Sequence, residues 1–235
     1  MRQVFTIAQR ELRSYFSSPI GWIVMGFYLL ITGLFLFCPQ VGAGYGEMRM
    51  WFRNTAIVLV FLLPAITMRL FAEERQRGTI EVLMTSPVTD TQAVLGKYFG
   101  ALAFYAMMLV LTIQFPVTLA RLGTPDRGPF YSGYVGMFLF GGTFLAVGLL
   151  ISTMTKSQVV AYVGTMFVLL ALHLLDWFQG GDVWWWQLIR YIATPTHIDS
   201  FARGMLDTRD VFFYLSFIGA SLFLAVRALS AWKWR

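Results

Sequence analysis

Few residues in this 235-residue chain have the type and spacing to do chemistry. Gly96-Lys97 is its one Gly-Lys pair and invites comparison with a phosphate-cradling loop. That loop, G-x-x-x-x-G-K-[ST], uses its glycines to bring backbone N–H groups to the phosphates and its hydroxyl to reach magnesium. It would need Gly at 91 and Ser or Thr at 98, and the chain has Thr91 and Tyr98. ATP binding and hydrolysis by that route are excluded. His173 and Asp176 stand one helical turn apart, but one His and one Asp are too few for a metal site or a proton relay. Both suit a membrane edge, where a polar tip reaches outward from an apolar body. Cys38, Met48 and Met50 offer soft sulfur, yet twelve methionines are ordinary in so apolar a chain. A lone cysteine also rules out an internal disulfide. No catalytic, cofactor-binding or metal-ligating set emerges, so an enzyme is not expected.

The elements that must position these residues are hydrophobic. The chain is 57% hydrophobic and 13% charged, with a mean hydropathy of +0.65. Soluble domains carry about 25% charged residues. A spanning helix needs about 20 apolar residues, because each adds about 1.5 Å toward a core about 30 Å thick. That test predicts an all-α membrane protein, one domain over 1–235, with six transmembrane helices at about 20–38, 52–71, 97–120, 132–155, 157–176 and 211–228. No cleavable signal is visible, so the first span is expected to stay in the mature protein. Six spans place both termini on one side. Putting that side in the cytoplasm leaves eleven of the eighteen Lys and Arg residues inside, the expected bias. This distribution explains the net charge of +6 without nucleic acid.

Residues 2–16 read as an amphipathic interfacial helix. Val4, Phe5, Ala8, Leu12, Tyr15 and Phe16 share one arc, and Arg2, Arg10 and Arg13 lie opposite. Such a helix lies along the lipid headgroups. Ser17-Ser18-Pro19 ends it. Trp184, Trp185 and Trp186, in an outer loop over 177–210, suit the aromatic belt of a membrane. Gly96 and Gly100 form a G-x-x-x-G pair, and Gly141, Gly142, Ala146, Gly148 and Ser152 give span four a small-residue face. Both are candidate helix-packing surfaces. Pro64 and Pro116 are candidate kinks, with the freed carbonyls satisfied by neighbours.

The segment between spans two and three is more than a tight connection. Gly78 permits a break, Thr79 is a good N-cap and Pro87 forbids continuation, so a short helix of about two turns is expected between them. It carries Ile80, Val82, Leu83 and Met84, which need something to bury against. Thr89 to Gln92 then fits a capping box that starts span three.

The strings Glu73-Glu74-Arg75, Gly78-Thr79-Ile80-Glu81-Val82-Leu83 and Thr85-Ser86-Pro87-Val88, continued by Val94-Leu95-Gly96-Lys97-Tyr98, resemble the coupling-helix signature of ABC-2 type transporter permeases. A second block, Pro195-Thr196-His197, Phe201, Gly204, Asp207, Arg209-Asp210, Tyr214-Leu215-Ser216 and Arg227, is most similar to permeases of the gliding-motility type. The resemblance runs over essentially the whole chain. It implies an ATPase-coupling interface made of Glu73, Glu74, Arg75, Arg77, Gly78, Thr79, Ile80, Glu81, Leu83, Thr85 and Pro87, with an interfacial helix contributing Phe5, Arg10, Leu12, Arg13 and Phe16. It implies a bacterial inner-membrane exporter with no cofactor bound directly, ATP and Mg being used by a separate ABC ATPase subunit in two copies. A second permease chain, identical or related, and an accessory extracytoplasmic protein complete the implied partners, beside membrane lipid. Two other readings stay open: an ion-gradient-driven secondary transporter, and a membrane anchor or scaffold transmitting force to an outer complex.

Overall fold

The computed structural model describes residues 2–39, 48–79, 88–122, 128–175 and 194–232. Every regular element among them is a helix, as expected of an all-α membrane protein. Helix α1 is Arg2–Ser17. Ser18 then caps α2, Pro19–Leu30, its side chain accepting from the Ile20 N–H and its φ of −99° breaking the helical run. Proline at the first helical position loses no bond, since that N–H would be free anyway. A π-helical segment, Ile31–Phe37, extends α2. There follow α3 (Met48–Thr67), α4 (Ala72–Gln76) and α5 (Asp90–Leu111). The chain continues as α6 (Gln114–Leu122), α7 (Gly128–Met154), α8 (Gln158–Leu174), α9 (Thr194–Ala202) and α10 (Thr208–Trp232).

Among the described residues, five stretches are long and apolar enough to cross a membrane: Pro19–Phe37, Met48–Gln76, Asp90–Arg121, Gly128–Met154 and Thr208–Ala231. The fifth expected span, 157–176, corresponds to α8, which is apolar but only 17 residues long, about 25 Å at 1.5 Å per residue. Helix α7 is the axis of the bundle, packing against α3, α5, α8, α9 and α10. Its small-residue face is what lets them close in. A Cβ at Gly141 would stand 2.2 Å from the Tyr105 ring, and one at Gly148 would stand 2.3 Å from the Thr67 hydroxyl.

Two irregularities face each other across the bundle. The stretch beginning at α5 breaks at Thr112 and Ile113, four and three residues before Pro116. Proline cannot donate to the carbonyl four residues back, so the Thr112 carbonyl is freed. It accepts instead from the Tyr134 hydroxyl at 2.9 Å and from the Phe115 N–H at 3.0 Å. Pro64, by contrast, sits inside an uninterrupted α3. The π segment was not foreseen, although Pro39, two residues past its end, has no N–H to offer the Phe35 carbonyl inside it. Its Thr32 carbonyl accepts from the Trp51 indole at 2.9 Å, so a neighbour again satisfies the backbone. Phe115 stacks on Phe37 and meets Trp51 edge-on, which joins the two irregularities in one aromatic cluster.

Helix α1 lies along α5, but its buried face is rotated from the expected arc. Ile7 and Tyr15 are buried, Glu11 is partly buried on the same face, and Phe5 is 71% exposed. The reason is the glycine pair of α5. A Cβ at Gly96 would stand 2.7 Å from Ile7, and one at Gly100 would stand 2.7 Å from the Glu11 Cβ and 3.0 Å from the Ala8 carbonyl oxygen. Glycine there brings the two helices to near backbone contact and selects the face that carries Glu11.

Candidate functional site

That close approach lets Glu11 meet Lys97, one helical position beyond Gly96. Lys97 is only 1% exposed, and its ammonium donates to Glu11 Oε1 at 3.0 Å and to Glu74 Oε1 at 2.8 Å. It also lies over the Phe71 ring, 5.0 Å from the centroid. Burying an ammonium costs several kcal/mol unless partners replace its water. Two carboxylates and an aromatic face supply that replacement here. Arg10 approaches both carboxylates from outside, at 3.5 Å from Glu11 and 3.6 Å from Glu74.

Helix α4 is held on its other side by Glu73. That carboxylate accepts from Arg69 Nε at 2.7 Å and pairs with Arg77 Nη2 at 2.7 Å. Arg69 also donates to the Ser18 hydroxyl at 2.6 Å, tying the end of α3 to the cap of α2. The first N–H groups of α4 have no partner within so short a helix. The Ser152 hydroxyl at the end of α7 accepts from Phe71 N and Ala72 N, both at 3.1 Å. Gly78, at φ +72°, turns the chain out of α4 in a conformation that glycine adopts freely. Thr79 donates back to the Glu74 carbonyl at 3.3 Å. Arg75 is buried.

The structure therefore brings Glu73, Glu74, Arg77, Gly78 and Thr79 together around α4, with Arg75 on the same turn. Ile80, Glu81, Leu83, Thr85 and Pro87 lie outside the described residues. Of the α1 residues, Arg10 joins the charged cluster, Phe16 packs edge-on against Trp22 and Phe104, Leu12 borders the core, and Arg13 and Phe5 are exposed. Glu11, Lys97, Arg69, Ser18 and Ser152 were missed as site residues. A usable signal existed for two of them. Glu11 is the only acid between residues 2 and 17, and it falls one turn from Ile7 and from Tyr15. Lys97 sits inside the G-x-x-x-G pair. Thr89 starts α5 as expected. Its hydroxyl accepts from Gln92 N at 3.3 Å, and its N–H donates to Gln92 Oε1 at 3.1 Å.

A second charged joint closes the opposite end of the bundle. Arg49 donates to Asp199 through Nε at 3.0 Å and Nη2 at 2.9 Å, and Arg203 donates to the same carboxylate. His197 Nδ1 lies 2.6 Å from Asp210 Oδ1, with the imidazole stacked on Phe213. Gly204, at φ +91°, turns α9 toward α10. His197, Phe201, Asp210 and Tyr214 thus meet in one corner. Burial opposes the Asp199 charge, but the bonds from Arg49 and Arg203 outweigh it and hold its carboxyl below the usual range. A carboxylate depressed in the folded state stabilises above its unfolded pKa of about 3.9 and loses that stabilisation as pH falls below it. Heat stability of the native chain is accordingly expected to fall more steeply below about pH 4 than that of Asp199→Asn. Parallel melting curves over that interval would contradict the assignment.

His173 is buried in the last turn of α8, and Asp176 lies outside the described residues. Cys38 and Met50 are exposed while Met48 is buried. Trp184, Trp185 and Trp186 lie outside the described residues.

A family model described as ABC-2 family transporter protein matches residues 49–175, which covers α3 through α8 and the whole of α4. The chain belongs to the ABC-2 transporter family. Among curated proteins, this ABC-2 chain is 31% identical over 124 residues to the probable multidrug ABC transporter permease YbhS of Escherichia coli K12, covering 48% of the chain and 32% of that protein. It is 29% identical over 125 residues to the probable multidrug ABC transporter permease YbhR of the same strain, covering 52% of the chain and 32% of that protein. The match thus spans about a third of the length of these relatives.

Proposed function

We propose that the chain is the permease subunit of an ATP-binding-cassette transporter whose ATPase is a separate subunit. One observation carries the reading. A five-residue helix, α4, is fixed by ionic bonds to three other elements immediately before the loop that bears Ile80, Glu81 and Leu83. In this reading that loop docks on the ATPase, two copies of which bind ATP and Mg below a pair of permease chains. ATPase closure moves the loop and α4, and the bundle converts between inward- and outward-open states. The driving force is the difference in affinity of the ATP-bound ATPase for those two states.

Export fits this drive better than import, with the termini on the cytoplasmic side of a bacterial inner membrane. The names of YbhS and YbhR support a drug-like cargo, and the apolar bundle is compatible with amphiphiles. A likeness to gliding-motility-type permeases would rest on the sequence from Pro195 to Tyr214, with an accessory extracytoplasmic protein binding on that side. A scaffold role is compatible with the same ATPase-coupled drive.

Replacing Glu81 and Leu83 together tests the reading. The expected result is a complex that has lost ATP-driven transport, or has lost its ATPase on purification from native membranes. Normal transport with a normal complement of ATPase would overturn it. An active chain purified free of any ATPase would favour a secondary transporter.

A further inference from the structure

The geometry points to Lys97 as the positioning residue that makes α4, α1 and α5 move as one body. This rests on the ATPase-coupled reading above and assigns a role within it. Helix α4 offers little apolar surface of its own: Ala72 is followed by Glu73, Glu74, Arg75 and Gln76. It packs lightly on α7 and α8, and polar bonds supply its ties to α1 and α5. Glu73 binds locally, to arginines four residues away on either side. Glu74 reaches instead to Lys97, 23 residues along the chain on a different membrane helix. Lys97 in turn reaches Glu11, 86 residues away on α1.

The docking of α1 on α5 does not require this charge. Gly96 and Gly100 already bring Ile7, Ala8 and Glu11 against the α5 backbone. What the ammonium adds is the buried tie from that pair of helices to α4, beneath the outer tie from Arg10 to Glu74 at 3.6 Å. Displacement of α4 then pulls on α5 near its first turns and carries α1 with it. Helix α5 is joined at its start to α10 as well, through Ser230 donating to Asp90 at 3.0 Å. The N-terminal helix is thus a moving strut in the drive train.

The test uses the complex with its partner ATPase in lipid nanodiscs. Spin labels are placed at Gln9→Cys on the exposed side of α1 and Val163→Cys on α8, with Cys38→Ser to remove the native thiol. The distance between labels is compared without nucleotide and after trapping with ATP and vanadate. The native sequence is expected to show a nucleotide-dependent shift, and Lys97→Arg, which keeps the charge, is expected to retain it. Lys97→Met is expected to keep ATP hydrolysis and lose the shift. If that variant fails to assemble, Glu11→Gln with Glu74→Gln and Lys97→Met removes the orphaned carboxylates, and the same loss is expected. A full shift in the neutral triple variant overturns the role of Lys97 and leaves the ATPase-coupled reading standing. Failure of the native chain to capture an ATPase, or to shift on trapping, overturns both.

Discussion

Gly21→Ala is expected to lower the melting temperature in detergent sharply, at a cost of about 3 kcal/mol. The added Cβ would stand 2.1 Å from the Tyr15 carbonyl oxygen and 2.9 Å from its carbon. Those are backbone atoms, so no side-chain rotation relieves the clash, and the turn between α1 and α2 must open. Tyr15 is the worst residue to displace. Its hydroxyl donates to the Ile66 carbonyl at 2.9 Å, and its ring stacks on Phe104 with centroids 4.8 Å apart. Trp22, next to the substitution, donates from its indole to the Phe16 carbonyl at 2.9 Å. Gly26→Ala is the control. Nothing lies within 4 Å of a Cβ there, and alanine in a helix interior is favoured over glycine by about 0.5–1 kcal/mol. Equal melting temperatures for the two variants would show that the α1–α2 turn yields without cost.

The second large effect is expected on stability at Lys97. Lys97→Met leaves Glu11 and Glu74 facing each other with the exposed Arg10, 3.5 and 3.6 Å away, in place of their buried cation. Removing one partner of a buried pair costs about 3–5 kcal/mol. The two carboxylates keep 14% and 21% of their side-chain exposure, so the lower end of that range is expected here. The cost should come from the orphaned charges rather than from lost packing, since methionine is close to lysine in volume. Adding Glu11→Gln and Glu74→Gln should then restore most of the loss, because a neutral replacement of a buried ionic group is often neutral or stabilising. A triple variant that melts as low as Lys97→Met would place the defect in packing around Phe71.

What was legible in the sequence was what is local. The capping box at Thr89 and Gln92 involves residues three apart, and the turn at Ser18-Pro19 involves two. Gly78 marked a break by its own backbone freedom. Pro116 marked the loss of one hydrogen bond, and the structure shows Tyr134 supplying the substitute. What was not legible depends on a distant partner. The arc of α1 was placed by hydropathy, which counts Glu11 as polar and turns it outward. Its counter-charge lies on α5, and the glycine pair beside that charge turns this face of the helix inward. The Trp51 indole that donates to the Thr32 carbonyl of the π segment likewise lies 19 residues along the chain. Glu73 and Glu74 were singled out by resemblance, and the partners that hold them were not, because Lys97 reads in sequence as the first residue of a membrane span.

The separation between Glu11 and Lys97 also has a consequence for biosynthesis. At about 5–20 residues per second, the 86 residues between them take roughly 4–17 s to make. Through that interval α1 has neither its cation nor the glycine surface of α5. Its own composition suits a wait at the membrane surface, with Ile7, Leu12 and Tyr15 on one side and Arg2, Arg10 and Arg13 elsewhere. Docking follows only when the third membrane helix has emerged. A nascent chain stalled short of residue 97 would carry α1 made but unplaced, open to protease at its exposed arginines, whereas one stalled well past 111 would carry it shielded.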